Sequence, residues 1–396
     1  MFDRFPEPAA DALHAVMGRY RADPRPHRID LGVGVYRDAT GASPIMRAVK
    51  EAEAVLLREE ESKAYQALHG DDRFIAAMTR LVFGDDHPAV RDGRLAAIQG
   101  TGGTGSLRIA FDAAALASPH GRLHLGEPSW PNHGALAAAA EIQVIPHPYL
   151  DAATQKLDWD AVAAAASGAS PGDLFIIHGP CHNPTGADPS LEQRRDLLAI
   201  LTERGAVPLI DAAYYGLAEG LDADLGILRE AAARLERAFI AVSCSKVFGL
   251  YRERTGILFA LCANTAERTR VQGQLDRIGR TLVSMPPAHG AGTVTVVLGD
   301  ARLSAWWRDE LAAMRARIAG LRSELAGHAN EVPMLRGIDE QRGIFRMLPL
   351  SPEHTERLGR DHAIHLPPSG RINIAGLKRG DAARLAEALA AVAARA

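Results

Sequence analysis

The chain has 396 residues, 47% hydrophobic and 23% charged, with a formal net charge of −3. That length supports a large core and more than one domain; the composition is that of a soluble globular enzyme, and the small charge gives no reason to expect nucleic acid or an anionic membrane as partner. Three cysteines without a CxxC pair (Cys181, Cys244, Cys262) and fifteen histidines without metal-type spacing argue against a disulfide framework or a metal site and fit a reducing, cytoplasmic setting.

In chain order, residues 1–40 read as an N-terminal arm and part of a smaller domain. The segment after Met1 lacks the apolar core of a signal peptide, and no run of about 18 apolar residues spans a bilayer. Residues 41–300 read as a large domain. From about residue 95 to 262, short apolar runs at 95–98, 122–125, 142–145, 174–177, 207–210, 239–242 and 256–261 alternate with longer helical stretches. These stretches include the Ala-rich segments 135–140 and 161–166. The alternation predicts an α/β fold with a mostly parallel, seven-stranded type of sheet flanked by helices. Residues 301–396 change in texture: 305–329 predicts a long amphipathic helix, 343–348 and 371–375 shorter strands, and the end an Ala-rich helix. They read as a connecting helix and the rest of a smaller α+β domain.

The polar motifs fall just after the apolar runs, at the edge where open α/β sheets bind ligands. Gly100-Thr101-Gly102-Gly103-Thr104-Gly105 opens a helix, where glycines let backbone N–H groups approach a phosphate. The string also matches G-x-G-x-x-G, with Glu127 ending a later strand, so a nicotinamide site, another phosphate site and a tight turn all stay open. Trp130 lies between prolines in Pro128-Ser129-Trp130-Pro131, as a core residue or as the flat lid of a ring-binding site. His182-Asn183-Pro184-Thr185-Gly186 is rich in turn formers, but an Asn amide at a strand end also suits a ligand oxygen. Asp211 and Tyr214 follow another strand. An acid there can be only a helix cap, yet a lysine lies one strand–helix–strand unit further on.

That lysine is Lys246, in Ser243-Cys244-Ser245-Lys246-Val247-Phe248-Gly249. The chain has only five lysines, and Lys50, Lys63, Lys156 and Lys378 sit in polar or amphipathic surroundings. Lys246 ends a buried strand with arginines eight residues on. Desolvation and neighbouring cations lower an amine's pKa, which suits a Schiff-base lysine. A carboxylate, a phenol and a lysine on one sheet edge are the parts pyridoxal phosphate needs, the acid keeping its ring nitrogen protonated. Arg371 stands amid apolar strand residues, where it is costly unless a structural acid or a substrate carboxylate pairs it.

Together these strings resemble the class I aminotransferases: the pyridoxal-phosphate-dependent aspartate and aromatic amino acid aminotransferases of fold type I. The resemblance runs from Leu31-Gly32-Val33-Gly34-Val35-Tyr36 to Arg371–Ala375. It implies that Lys246 is the Schiff-base lysine and proton carrier, Asp211 the pyridinium partner, and Tyr214 and Asn183 the partners of the cofactor's phenolic oxygen. By the same resemblance Trp130 stacks on the ring, and Gly103, Thr104, Ser243 and Arg254 form the phosphate cup. Tyr65 reaches the phosphate of the neighbouring subunit, and Arg280 is donated by that subunit to a distal carboxylate, so a homodimer with shared sites is implied. Arg371 clamps the substrate α-carboxylate beside Gly34, and His133 and His178 stand behind Asp211.

The chain departs from the family pattern at Glu127, Tyr215, Val247 and Met347, and at Leu282, Val283 and Met285 near Arg280. The apolar set near Arg280 favours aromatic substrates, since burying a ring contributes on the order of 2–3 kcal/mol. The expected activity is ping-pong transamination between an aromatic or acidic L-amino acid (Tyr, Phe, Trp, Asp) and 2-oxoglutarate, with aromatic donors favoured. Alternatives are a strictly aspartate-specific enzyme, an NAD-dependent oxidoreductase using Gly100–Gly105, and a non-catalytic ligand sensor. The sensor would need a DNA-binding segment, and no basic helix-turn-helix precedes residue 30.

Overall fold

The computed structural model describes residues 1–5 and 12–394. The chain divides into two compact units, one of Pro44–Ala316 and one of Met1–Ser43 with Arg317–Ala396. Among the described residues the strands are β1 (Ile29–Asp30), β2 (Leu95–Thr101), β3 (Leu123–Glu127), β4 (Val144–Pro148), β5 (Leu174–His178), β6 (Val207–Ala212), β7 (Ala238–Ser243), β8 (Thr255–Leu261), β9 (Phe345–Met347), β10 (Ile364–His365) and β11 (Arg371–Asn373).

The larger unit carries a seven-stranded sheet in the order β2-β8-β7-β6-β5-β3-β4. Each of the seven apolar runs seen in the sequence is one of its strands. The central strands read as unbroken hydrophobic stretches because both sheet faces are covered: every residue of β8 is buried, as is all of β5 up to its last residue. Helices Gly102–Ala117 and Thr265–Val283 supply Leu107, Phe111 and Leu275 to a core shared with Ile98, Leu125, Ile176, Leu209 and Leu258. The sheet is mostly parallel, but β8 runs antiparallel to both β2 and β7. The short connection from Ser243 to Thr255 leaves no room for the crossover that a parallel return requires.

Both sheet edges are blunted. On β4, Pro146 and Pro148 remove backbone donors. On β2, the Gln272 side chain imitates a neighbouring strand: its Oε1 accepts the Ala97 N–H at 2.9 Å and its Nε2 donates to the Ala97 carbonyl at 3.0 Å.

The smaller unit holds two short pairs, β1 with β10 in parallel and β9 with β11 antiparallel. They pack on a core that includes Leu31, Leu335, Ile338, Leu358, Ile372 and Leu385. Two-residue strands carry no periodic signal, which is why β1 and β10 are not visible in the sequence. The expected strand 371–375 stops at Asn373, whose side chain accepts the Ala375 N–H and caps a 3-10 turn over Ile374–Gly376. The long helix runs over Ala301–Ala326, starting earlier than expected because the Asp300 carboxylate takes the N–H groups of Arg302 and Leu303. The unit boundary falls inside this helix, at 316/317, rather than at residue 300. Among the described residues no helix is long and apolar enough to cross a membrane.

Gln272→Ala is expected to lower the urea midpoint of the larger unit by an amount equivalent to about 1–3 kcal/mol, because the Ala97 polar groups lose their partners. Equilibrium unfolding followed by tryptophan fluorescence checks this.

Candidate active site

The carboxyl ends of β5, β6 and β7 lie side by side, with His178 opposite Asp211 and Asp211 opposite Ala241. That register brings together residues far apart in sequence. Lys246 follows β7 in a turn, with its amine 5.0 Å from the centre of the Tyr214 ring. The other four lysines are exposed. Burial lowers the Lys246 pKa; the nearby Asp211 charge opposes that shift and Arg254 adds to it.

Asp211 shows the opposite outcome of burial. Desolvation pushes its pKa up, but the His133 hydrogen bond and nearby positive groups outweigh that, so the carboxyl sits below its usual range. His133 Nε2 lies 3.0 Å from Asp211 Oδ2, and Ser129 Oγ lies 2.9 Å from His133 Nδ1 and 3.1 Å from His178 Nε2. The Asn183 backbone N–H donates to His178 Nδ1 at 3.4 Å. This pattern assigns the tautomers, since a ring nitrogen that accepts carries no proton. His178 then donates from Nε2 to Ser129, Ser129 donates to His133 Nδ1, and His133 donates from Nε2 to Asp211. The string of donors ends on the carboxylate. Burial, with the neighbouring His133, pushes the His178 pKa down to about 3, and burial keeps His182 well below its usual value.

Asn183 sits in a tightly held loop. The Asp188 carboxylate accepts the Cys181 N–H at 2.7 Å and the His182 N–H at 2.9 Å, fixing Cys181 at a left-handed φ of 68°. The Asn183 Oδ1 is buried without a hydrogen-bond partner among the described residues. The turn after Tyr214 is held similarly: the buried Asp224 carboxylate accepts the N–H groups of Gly216, Ala218 and Glu219. The sequence reading missed Ser129, Asp188 and Asp224. Only Ser129 leaves a signal, four residues before His133.

The glycine loop adjoins Arg254. Gly102 has φ +68°, and a Cβ there would lie 2.7 Å from Arg254 Nη2. A Cβ on Gly103 would lie 3.2 Å from Ser243 Cβ. Arg254 donates to the carbonyls of Tyr251 and Thr101, and the helix that opens at Gly102 has no side-chain cap. Free N–H groups, a guanidinium and hydroxyls therefore converge, as an anion requires. Trp130 is partly buried, edge-on to His133 at 5.2 Å.

Two expected residues lie on the surface of the single chain: Tyr65 is 92% exposed, and Arg280 is exposed beside Leu282 (38%) and Val283 (43%). In the smaller unit Arg371 and Gly34 both meet Phe345. The Arg371 guanidinium carbon is 4.6 Å from the ring centre, its Nη2 donates to the Gly32 carbonyl at 2.6 Å, and a Cβ on Gly34 would lie 2.8 Å from Phe345 Cζ. Met347, opposite Arg371 in the register of β9 and β11, is partly buried. Of the other departures, Glu127 is exposed at the end of β3, Tyr215 is fully buried with its hydroxyl unpartnered among the described residues, and Val247 is fully buried.

The family model "Aminotransferase class I and II" matches residues 26–389. The chain belongs to the class I and II aminotransferases. A tyrosine aminotransferase of Rhizobium meliloti (strain 1021) is 44% identical over 387 residues, 98% of each chain. An aspartate aminotransferase of Escherichia coli (strain K12) is 38% identical over 395 residues, 99% of this chain and 100% of its own. A crystal structure of an aromatic-amino-acid aminotransferase from Burkholderia pseudomallei, covalently bound to pyridoxal phosphate, superposes with a TM-score of 0.96 at 35% identity over 99% of both chains.

Aminotransferases of this class depend on pyridoxal phosphate, and the residues present fit that group. The anion-binding loop suits its phosphate, Asp211 its ring nitrogen, and the unpartnered Asn183 amide and the Tyr214 phenol its ring oxygen. The dinucleotide reading of Gly100–Gly105 is not favoured. It needs β2 to neighbour a parallel strand, but β2 is an edge strand paired only with the antiparallel β8.

His178 stays neutral when folded and titrates near 6.5 when unfolded. Between about pH 6.5 and 3 the unfolded chain therefore binds more protons, and stability falls as pH falls through that window. Thermal midpoints from pH 7 to 4 should drop less steeply for His178→Gln than for the parent.

Proposed function

We propose that this aminotransferase moves amino groups between an aromatic or acidic L-amino acid and 2-oxoglutarate by a ping-pong route, with aromatic donors preferred. The observation that carries the reading is the Lys246 amine, desolvated at the sheet edge beside Tyr214 and Asp211. Relatives named tyrosine and aromatic-amino-acid aminotransferase, at 44% and 43% identity, support the aromatic preference, as do Leu282, Val283 and Met285 near Arg280.

When bound, pyridoxal phosphate supplies an aldehyde carbon that takes the amino group and a ring that accepts the electron pair released at the substrate Cα. We assign Gly103, Thr104, Ser243 and Arg254 to its phosphate, Asp211 to its ring nitrogen, Tyr214 and Asn183 to its ring oxygen, and Trp130 to its face. Asp211 stays ionised because the histidine string donates to it, and so holds the ring-nitrogen proton. Lys246 Nζ, whose pKa burial lowers, would take the proton from the substrate Cα. Arg371, beside Gly34, would hold the α-carboxylate in a bidentate grip. Tyr65 and Arg280 would serve the neighbouring copy in a homodimer, and their exposure, with that of Leu57, supports the sharing. Cys181, Cys244 and Cys262 are buried and not joined in disulfides, which fits a cytoplasmic setting.

Lys246→Ala is expected to cut kcat by more than about 10²–10⁴-fold; near-normal turnover in a coupled assay would sink the assignment. Arg280→Ala should lower kcat/KM for aspartate by about 10- to 100-fold while leaving phenylalanine nearly unchanged. Equal losses would contradict a role in reading the distal carboxylate, and a parent enzyme that turns over only aspartate would favour the narrower aspartate-specific reading.

A further inference from the structure

Lys246 stands on neither a strand nor a helix. Its turn is closed by two backbone bonds, Phe248 N–H to the Cys244 carbonyl at 3.1 Å and Gly249 N–H to the Lys246 carbonyl at 3.3 Å. The next residue, Val247, is fully buried, so its carbonyl has no access to water and needs a donor from elsewhere in the fold. Trp307 supplies it from helix Ala301–Ala326, its indole Nε1–H reaching the Val247 carbonyl at 2.9 Å. The same indole stacks on Phe248, with ring centres 4.5 Å apart and planes 3° apart. Both rings are fully buried.

One helical turn on, the same face reaches the other loop. Gly216, two residues after Tyr214, has φ +86°, and a Cβ there would lie 2.6 Å from Leu311 Cδ2. Residues 307 and 311 are neighbours on one helical face. One rigid element therefore touches the turn that carries Lys246 and the turn that follows Tyr214. Glu310 ties the helix down by accepting the N–H groups of Arg47 and Ala48.

We propose that Trp307 is a positioning residue for Lys246, acting through the Val247 carbonyl and the Phe248 ring to hold the amine in its desolvated place. Trp307 touches none of the reacting atoms itself. The proposal rests on the reading of Lys246 as the amine that carries the reaction. The charged and titratable groups around that amine are Asp211 on β6, Tyr214 after it, and Arg254 before β8; none lies on the Trp307 helix. Releasing the turn would admit water to the amine without altering those neighbours.

The test is Trp307→Phe, which keeps an aromatic ring to stack on Phe248 and removes the N–H together with the second ring of the indole. In the holoenzyme kcat should fall about 3- to 10-fold, as expected for one hydrogen bond, with KM unchanged. In the apoenzyme, the pH midpoint for labelling Lys246 with trinitrobenzenesulfonate, read by peptide mass, should rise towards that of an ordinary lysine. Phe248→Leu, which keeps the N–H bond and removes the stack, should shift the same midpoint by a smaller amount. Parental kcat and a parental labelling midpoint in Trp307→Phe would overturn the proposal, as would a lower thermal midpoint with neither quantity changed. The labelling arm needs no turnover. Its failure is therefore distinct from failure of the Lys246 assignment, which Lys246→Ala decides.

Discussion

Lys246 and Asp211 lie close together at the carboxyl edge of the sheet, both partly buried, and burial works against the charge of each. Burial alone would neutralise both groups. It lowers the Lys246 pKa, and for Asp211 it is outweighed by a donor chain that begins at a backbone N–H and ends on the carboxylate. His178, pushed down to about 3, has no competing protonated form at neutral pH, so its single N–H is committed to Ser129. The loops around the site are held by single carboxylates: Asp188 clasps two backbone N–H groups and Asp224 three.

The smaller unit solves a different problem, that of carrying arginines in an apolar setting. The buried Arg322 spreads its guanidinium over the carbonyls of Ile338, Arg342, Gly343 and Phe345, so backbone oxygens solvate its charge. That arrangement fixes the segment leading into β9, and with it the Phe345 ring against which Arg371 and Gly34 rest. Gly34 has no side chain because the ring occupies the space one would take.

Much of this was legible in the sequence wherever a single stretch of chain carries the signal. The seven apolar runs became seven strands because a sheet covered on both faces demands uninterrupted hydrophobic residues, and the scarcity of lysine isolated Lys246 before any geometry was known. Features made by two distant stretches were not legible. The antiparallel direction of β8, the Ser129 bridge between two histidines, and the Trp307 bond to Val247 across 60 positions leave no local pattern. Tyr65 and Arg280 were recognisable only through resemblance, since an exposed tyrosine or arginine on one chain looks like any solvated side chain.

The Gln272 amide has a consequence for the chain as it is made. It lies 175 residues beyond the Ala97 backbone it covers, and the partner strand β8 is also far downstream. At about 5–20 residues per second, β2 leaves the ribosome roughly 9–35 s before its guard is synthesised. For that interval Leu95–Thr101 is an open template for any extended segment nearby. Once helix Thr265–Val283 docks, its Gln272 amide closes the template at Ala97.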